Sequence, residues 1–531
     1  MQMNRSSGIL LHPTSLPETP GIGTIGKQAY RFVDWLVEAK QSLWQILPYG
    51  PTGYGDSPYA SFSTFAGNPL IIDIDMLVDA GWLSAEEAAA PDWMHCDGYI
   101  DFGGVVYWKI PLLKTAAAHF LERADDAEKK AYKAFKKENA SWLDNYALFM
   151  SIKEYYDAKA QEEKVSGAMW STYWPHDLAV HEEKAVADWA KKHKKEAELY
   201  RVIQYFFFTQ WRALKMYANA NGIKIIGDIP IFVAPDSADV WADQRLFQLD
   251  KNGRPTRVAG VPPDYFCADG QLWGNPLYRW NVMEEEGFEW WINRIRAMLK
   301  NVDYVRIDHF RGFEAYWSVP AKDKTAINGK WVKGPAHKLF NAILAALGDI
   351  PIIAEDLGVI TDKVRALRDD FNLPGMRVLQ FAFNPDEEKN GACVNSFLPH
   401  EHAPNSVVYT GTHDNDTLEG WLKRIREEDP ALYGMLKRYV SGGYDELAPS
   451  DENMAPAFIR MAMSSVSNFA VIPLQDIYRV DNAGRMNQPA TAGGHNWQWR
   501  MSGDMFDSTR AAWLREMSVL YDRNTSEKKE K

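Results

Sequence analysis

The sequence predicts an α/β protein built as a (β/α)8 barrel with long, mainly helical insertions. Eight short segments are apolar, rich in β-branched residues and bounded by turn residues, as strands are. Their near-continuous apolar character is typical of parallel strands buried on both faces. Helical patterns between them favour a closed barrel over an open doubly wound sheet. The predicted strands are Gly8–His12, Leu43–Pro48, Lys224–Val233, Tyr304–Phe310, Pro351–Gly358, Met376–Phe383, Ser406–His413 and Phe469–Leu474.

The segment before the third strand shows how helices and strands alternate. Apolar residues recur at helical spacing between Ala197 and Ala220. Asn221 and Gly222 follow as a plausible end of that helix, and strand three starts at Lys224.

The chain of 531 residues is expected to form one catalytic barrel unit over residues 1–531. Residues 70–200 are too many for a single connecting helix, and we expect a mainly helical insertion between strands two and three. Trp142, Tyr146 and Met150 share one face of an amphipathic pattern there. A second insertion, residues 234–300, follows strand three and contains an aromatic loop.

Composition and charge argue against several kinds of binding partner. The formal charge of −12 argues against nucleic acid, which usually requires a basic surface. No run approaches 18 apolar residues, so no membrane span is expected. The three cysteines lie far apart without metal-ligand spacing, which favours a reduced, cytoplasmic setting and no metal. The sequence makes no prediction of oligomeric state.

Acidic residues end three of the predicted strands. Asp308, Glu355 and Asp414 lie in VRIDHF, IIAEDLG and GTHDND. Active sites of parallel barrels lie at the carboxyl ends of the strands, so these carboxylates are expected in one pocket. Carboxylates without metal ligands around them indicate chemistry on a glycosidic bond.

The roles of individual carboxylates remain open from spacing alone. Arg306 and Asp308 point to the same side of a strand, and a guanidinium favours the charged carboxylate that a nucleophile needs. The pair could equally be a structural tie between strands. Glu355 and Asp356 face opposite ways, so only one can enter the pocket as a general acid, while Asp356 is the candidate cap of the following helix.

Other polar and aromatic residues fit a sugar site. His413 and Asp414 could hold sugar hydroxyls, and Asp228 in KIIGDIPIFV is expected to end strand three. Turn chemistry would explain the same residues without a ligand. Two turn-rich aromatic loops, residues 51–69 and 261–278, are expected to form a binding surface.

Seven long motifs in a fixed order identify a family. The chain resembles the amylomaltases (4-α-glucanotransferases) of glycoside hydrolase family 77 almost from end to end. The motifs are LPYGPTGYGDSPYASFS, IIGDIPIFV, GVPPDYF, WGNPLY, VRIDHFRGF, IIAEDLG and GTHDNDT.

The resemblance implies a role for each matching residue. It makes Asp308 the nucleophile, Glu355 rather than Asp356 the acid/base, and Asp414 the stabiliser of the transition state. It implies a substrate-binding set of Ser57, Tyr59, Asp228, Tyr265, Phe266, Trp273, Arg306, His309 and His413.

The implied activity is transfer of α-1,4-glucan segments by retaining double displacement, without a cofactor. An α-amylase-like hydrolase and a non-catalytic glucan-binding protein are the alternatives. The stretch NQPATAGGHNWQWR departs from the shorter turn of many relatives, which leaves acceptor contacts there open.

Overall fold

Eight parallel strands close into a barrel in the part of the chain that the structure describes. The computed structural model describes residues 3–53, 55–95, 98–263, 268–384, 388–389, 392–393, 395–491 and 493–523. Neighbouring barrel strands follow chain order, and the last pairs with the first. The predicted (β/α)8 class is therefore confirmed. The barrel strands are β1 Ser6–Leu10, β2 Leu43–Gln45, β3 Lys224–Pro230, β6 Tyr304–Asp308, β9 Ile352–Ala354, β10 Gly375–Val378, β13 Ser406–Tyr409 and β14 Phe469–Pro473.

Several strands end earlier than predicted because local turns take over at the barrel mouth. A 3-10 turn over Leu379–Phe381 follows β10 directly. After β13, the side chain of Asn415 accepts hydrogen bonds from the backbone N–H and the hydroxyl of Thr412, both at 2.9 Å. Asp414 therefore lies in a turn beyond β13, whereas it was predicted at a strand end.

A second sheet contains four antiparallel strands, in the order β5 (Gln271–Pro276), β4 (Arg257–Val261), β7 (Ala315–Pro320) and β8 (Lys330–Lys333). Strand β7 follows the 3-10 turn after Asp308, so this sheet is tied to the carboxyl end of β6. A separate two-stranded sheet joins β11 Glu388–Lys389 to β12 Ala392–Cys393.

Helices fill the long stretch between β2 and β3 and the connections elsewhere. The predicted helix before β3 is confirmed, beginning three residues earlier at Lys194 and ending at Ala220, with Asn221 as its C-cap. The helices between β2 and β3 are α2 Ile74–Asp79, α3 Phe102–Arg123, α4 Asp126–Glu138, α5 Leu143–Glu162, α6 Trp170–Tyr173, α7 His176–Ala179, α8 Glu183–Lys192 and α9 Lys194–Ala220. The others are α1 Lys27–Glu38, α10 Ala238–Ala242, α11 Trp280–Glu285, α12 Glu289–Asn301, α13 His337–Leu347, α14 Asp362–Asp370, α15 Leu418–Glu428, α16 Pro430–Val440, α17 Met454–Ser464, α18 Leu474–Ile477 and α19 Ser508–Leu520.

Helix α9 fixes the loop over residues 51–69 against the barrel. The buried side chain of Gln204 exchanges two hydrogen bonds with the backbone of Gly67, at 2.8 and 2.9 Å. One turn and a half further on, Gln210 does the same with Asp73, at 2.8 and 2.9 Å. Buried amides paired in this way satisfy loop backbone groups that would otherwise be costly to bury, so they fix the loop in place.

No helix in the described ranges is both long and apolar enough to cross a lipid bilayer.

Candidate active site

A guanidinium on β6 joins two carboxylates at the centre of the barrel mouth. Arg306 is buried and donates to Asp228 Oδ2 at 2.5 Å and to Asp308 Oδ1 at 2.8 Å. The register of the parallel β3–β6 pair places Asp228 beside Arg306. Although burial alone would lower it, these two negative charges raise the pKa of Arg306 well above its usual value. The guanidinium is therefore permanently charged.

The two carboxylates that share Arg306 differ in exposure. Asp228 is fully buried, and burial raises its pKa to about 6 although Arg306 acts in the opposite direction. It lies within β3, two residues before the end, whereas the sequence predicted it at the strand end. The side chain of Asp308 is 29% exposed and ends β6 at the opening. Asp308 is thus a carboxylate held beside a fixed positive charge, with one face open.

Glu355 immediately follows β9 and faces the same opening. Its Oε2 accepts from the backbone N–H of His309 at 2.6 Å, and its Oε1 accepts from that of Leu357 at 2.8 Å. Burial raises the pKa of Glu355 to about 8, and the charge of Asp308 acts in the same direction. At neutral pH this carboxyl group is therefore mostly protonated, and it lies beside the carboxyl group of Asp308, which is paired with Arg306.

Asp356 points away from the mouth and was wrongly expected to cap the next helix. It pairs with Arg368 of α14 and lies 3.5 Å from Arg377, while its Oδ1 accepts from the N–H of Met376 at 2.7 Å. The cap of α14 is Thr361, whose hydroxyl accepts from Val364 N–H. Asp356 therefore ties β9 to β10 and α14.

His309 connects the two mouth strands through its backbone. Its φ of 54° lies in the left-handed region, which non-glycine residues seldom adopt, and this turn directs its N–H to Glu355. Burial lowers the pKa of the imidazole to about 4, so the ring is neutral at pH 7. Trp273 meets this ring edge-on at 4.8 Å between centroids.

Asp414 is positioned by residues that the sequence analysis missed. Its Oδ1 accepts from the amide of Asn487 at 2.7 Å, and its backbone carbonyl accepts from Arg485 at 2.7 Å. The imidazole Nε2 of His413 lies 3.4 Å from Asp414 Oδ2. Asn487 belongs to the NQPATAGG stretch, and it is distant in sequence and lies in no recognisable motif, so only the fold could reveal this contact.

An aromatic wall borders the opening beside Asp414. Tyr59 stacks on His413 at 5.1 Å with 17° between the planes, and Trp497 packs against both rings. The hydroxyl of Tyr59 donates to Asp228 at 2.7 Å, and its backbone N–H donates to Ser57 Oγ at 3.3 Å. Trp497 is a further missed residue, visible in the sequence only as part of NWQWR.

The structure thus gathers most of the predicted residues at one opening. Tyr265 and Phe266 lie outside the described residues. Within the described residues, no group of three or more His, Cys, Asp or Glu side chains is arranged to hold a metal ion. A carboxylate paired with a guanidinium, next to a protonated carboxyl group on the adjoining strand, is the combination that retaining glycoside chemistry uses.

Comparison with known proteins agrees with this geometry. The profile of glycoside hydrolase family 77, described as 4-alpha-glucanotransferase, matches residues 11–506. A 4-alpha-glucanotransferase of Thermus thermophilus is 46% identical, with 98% of this chain and 100% of the relative aligned. The chloroplastic/amyloplastic enzyme of Solanum tuberosum is 41% identical over 98% of this chain and 86% of its own length.

A solved structure extends the comparison to three dimensions. The amylomaltase from Streptococcus agalactiae in complex with acarbose has a TM-score of 0.90 and 37% identity, and 98% of this chain and 99% of that one are covered. The match over nearly the whole barrel and its insertions means that the chain belongs to the 4-alpha-glucanotransferase family, glycoside hydrolase family 77.

Proposed function

We propose that this protein transfers α-1,4-glucan segments from a donor maltodextrin to the 4-hydroxyl of glucose or another α-1,4-glucan, by retaining double displacement. Asp308 is the nucleophile, Glu355 the acid/base and Asp414 the residue that binds sugar hydroxyls in the distorted transition state. Family membership supports the overall reaction, and the geometry of the barrel mouth supports the roles.

In the first step, Asp308 attacks the anomeric carbon of the donor. The bond from that carbon to the glycosidic oxygen breaks as Glu355 transfers its proton to the oxygen. The reducing-end fragment then leaves as a free sugar. The products are a glycosyl ester on Asp308 and an ionised Glu355.

In the second step, Glu355 accepts the proton of the acceptor 4-hydroxyl. That oxygen attacks the anomeric carbon, the ester bond breaks, and Asp308 returns as a carboxylate. Transfer prevails over hydrolysis where an acceptor sugar, rather than water, occupies the position beside Glu355. Trp273 packs against His309, whose N–H binds Glu355, and its ring stays partly exposed, which supports a role in holding the acceptor.

One observation supports the assignment of roles more than any other. Arg306 contacts Asp308 directly, whereas Glu355 is buried and its two oxygens accept from the backbone N–H groups of His309 and Leu357. The charge of Asp308 is thus stabilised, and burial with that charge nearby raises the pKa of Glu355 to about 8. Two acids with opposite protonation states are what a retaining mechanism needs.

The remaining expectations complete the proposal. The substrate-binding set includes Ser57, Tyr59, His413, Tyr265 and Phe266, the last two on the expected aromatic loop. Residues 1–531 act as one catalytic unit in which the insertions of residues 70–200 and 234–300 support mouth loops. The reaction takes place in the cytoplasm and needs no cofactor.

The direct test is Asp308→Asn with maltotriose as the only substrate. Glucose release and total reducing ends are measured together, because transfer keeps reducing ends constant while hydrolysis raises them. We expect the wild-type protein to form glucose and longer maltodextrins without a gain in reducing ends. Asp308→Asn should lose at least about 10⁴-fold in kcat, since the covalent route is removed.

Asp356→Asn is the matched control, because it changes the neighbouring carboxylate that faces α14. Substantial transfer by Asp308→Asn, with Asp356→Asn near wild type, would refute the nucleophile. A rise in reducing ends that accounts for all the glucose released by the wild type would refute transfer.

A further inference from the structure

A second cleft lies on the helical side of the molecule, away from the three carboxylates. It encloses about 830 Å³, part of it open to solvent. Its walls come from the loop after β2, the start of α5, the end of α10 and the start of α12. We call it the insertion cleft. Its lining includes Phe65, Trp142, Asn145, Asp243, Trp290 and Asn293.

Aromatic rings form a corner in this cleft. Phe65 and Trp142 are parallel, with centroids 6.3 Å apart and 11° between planes. Trp290 meets Phe65 at 83° and 6.1 Å. Phe65 and Trp290 are both only partly buried, so ring surface remains open to a ligand. Exposed aromatic walls with nearby polar groups are the usual composition of a ligand pocket.

The polar groups of the cleft select a neutral ligand. Four carboxyl groups but only one guanidinium line it, which disfavours an anion. That guanidinium, Arg245, is already paired with Glu286. Within the described residues the carboxylates form no metal-binding group. Among the same residues, the side-chain amide of Asn145 has no hydrogen-bond partner, so a donor and an acceptor are available at the cleft wall.

The cleft is held in a fixed shape. Thr64, between two lining residues, donates its backbone N–H to Asp239 of α10 at 2.9 Å and accepts from Arg294 of α12 at 2.6 Å. Arg294 also donates to the carbonyl of Pro230, at the end of β3, at 2.7 Å. A preformed site loses little entropy on binding, which favours recognition of a flexible ligand.

The insertion cleft lies close to the barrel mouth along the chain. Tyr59 at the mouth and Phe65 in the cleft are six residues apart in one loop, which limits their separation to about 22 Å. A single maltodextrin could therefore reach from one to the other.

We infer that the insertion cleft is a second carbohydrate-binding site, which holds a distant segment of an α-1,4-glucan chain. Aromatic surface takes the C–H faces of a sugar ring, and the amides and carboxylates take its hydroxyls. The inference rests on the proposed function for the identity of the sugar. Binding at the cleft raises the effective concentration of long donors at the barrel mouth and does nothing for short ones.

The test measures binding in the Asp308→Asn background, so that the probe is not consumed. Maltoheptaose is titrated calorimetrically into that protein and into versions that also contain Phe65→Ala or Asn145→Ala. We expect two binding events in the parent. The weaker event should lose about tenfold in affinity with Phe65→Ala and about fivefold with Asn145→Ala, as expected for one aromatic contact and one hydrogen bond.

Kinetics in the otherwise wild-type protein provide the second readout. The ratio of KM for soluble amylose to KM for maltotriose should rise about fivefold in either cleft variant. Tyr107→Ala is the control, because Tyr107 is a 78% exposed aromatic on α3 outside the cleft. It should leave both the titration and the KM ratio unchanged. Melting curves establish that each variant is folded.

Failure of the second binding site and failure of the proposed function would give different results. If maltoheptaose gives a single event in the parent, or the cleft variants match it in both readouts, the second site is refuted while transfer from maltotriose stands. If the wild-type protein transfers nothing from maltotriose, the proposed function fails whatever the titration shows.

Discussion

The two residues that follow strand β9 point in opposite directions and have opposite charges beside them: Glu355 lies on the side of the barrel mouth, the mouth face, and Asp356 on the side of the helices, the helix face. On the mouth face, Glu355 lies buried beside the carboxylate of Asp308 and accepts backbone N–H groups. On the helix face, Asp356 lies against the guanidiniums of Arg368 and Arg377. Both side chains are almost fully buried. Because burial is common to both, the difference between them lies in the nearest charge, which is a carboxylate beside Glu355 and two guanidiniums beside Asp356.

The largest expected loss of activity comes from substituting Glu355 on the mouth face. Glu355→Gln removes the proposed proton donor while keeping the shape of the side chain and one of its two backbone contacts, because the amide NH2 cannot accept a hydrogen bond. We expect kcat with maltotriose to fall by about 10²- to 10⁴-fold, the usual contribution of general acid–base catalysis. An α-maltosyl fluoride donor, whose leaving group needs no proton, should still load the enzyme, as detected by fluoride release. Equal loss with both donors would contradict the assignment.

The next largest loss of activity is expected from substituting Arg306, whose guanidinium contacts Asp308 directly. Arg306→Lys keeps a positive charge but cannot donate in a fork to Asp228 and Asp308 together. We expect kcat to fall about 10- to 100-fold, the value of one charge-assisted hydrogen bond. Steady-state assays with maltotriose measure this, and Arg368→Lys on the helix face is the matched control. A similar loss from both substitutions would mean that Arg306 only supports the fold.

A smaller and graded effect is expected from pH. The proposed first step requires the protonated form of Glu355, whose pKa burial raises to about 8 in the free protein. Below that value most molecules hold the proton, and above it the protonated fraction falls tenfold for each pH unit. The value of kcat/KM should therefore be halved near pH 8 and decline further above it. An alkaline limb that persists in Glu355→Gln would assign the titration to another group.

The smallest effect on activity comes from the helix face. Asp356→Asn should leave kcat within about twofold of the wild type, because Asp356 faces away from the opening. It should lower stability by about 3 kcal/mol, since the largely buried Arg368 loses its anionic partner. Urea unfolding measures the stability and the maltotriose assay the activity. A large loss of kcat in a folded protein would show that the two faces are not independent.

Much of the fold could be predicted because it depends on local patterns. Apolar, β-branched segments between turn residues identified the barrel strands, and helical periodicity identified α9. The ends of β9, β10 and β13 were placed too late, since the apolar pattern continues through Leu379–Phe381 while the backbone turns. A run of apolar residues indicates burial, and it does not distinguish a buried turn at the barrel mouth from a strand.

Contacts within one strand could be predicted from the alternation of its side chains. Contacts between strands could not, because they depend on how the strands are aligned. Alternation alone placed Arg306 and Asp308 on one side. The salt bridge to Asp228 requires the alignment of β3 with β6, which no local pattern specifies. The contact of Asn487 with Asp414 joins residues 73 positions apart. The partners of Asp356 were missed for the same reason, because Arg368 and Arg377 approach it only after α14 and β10 have packed.

The electrostatic interaction between Asp308 and Glu355 also controls when Glu355 changes its protonation state in the proposed reaction. The negative charge of Asp308 helps to keep the proton on Glu355. Once Asp308 is esterified by the sugar, that charge is gone, while Arg306 remains and pulls the pKa of Glu355 down. The residue that has just given up a proton is then disposed to stay ionised until an acceptor hydroxyl arrives. Bond formation at one carboxylate thereby sets the moment at which the other changes from acid to base.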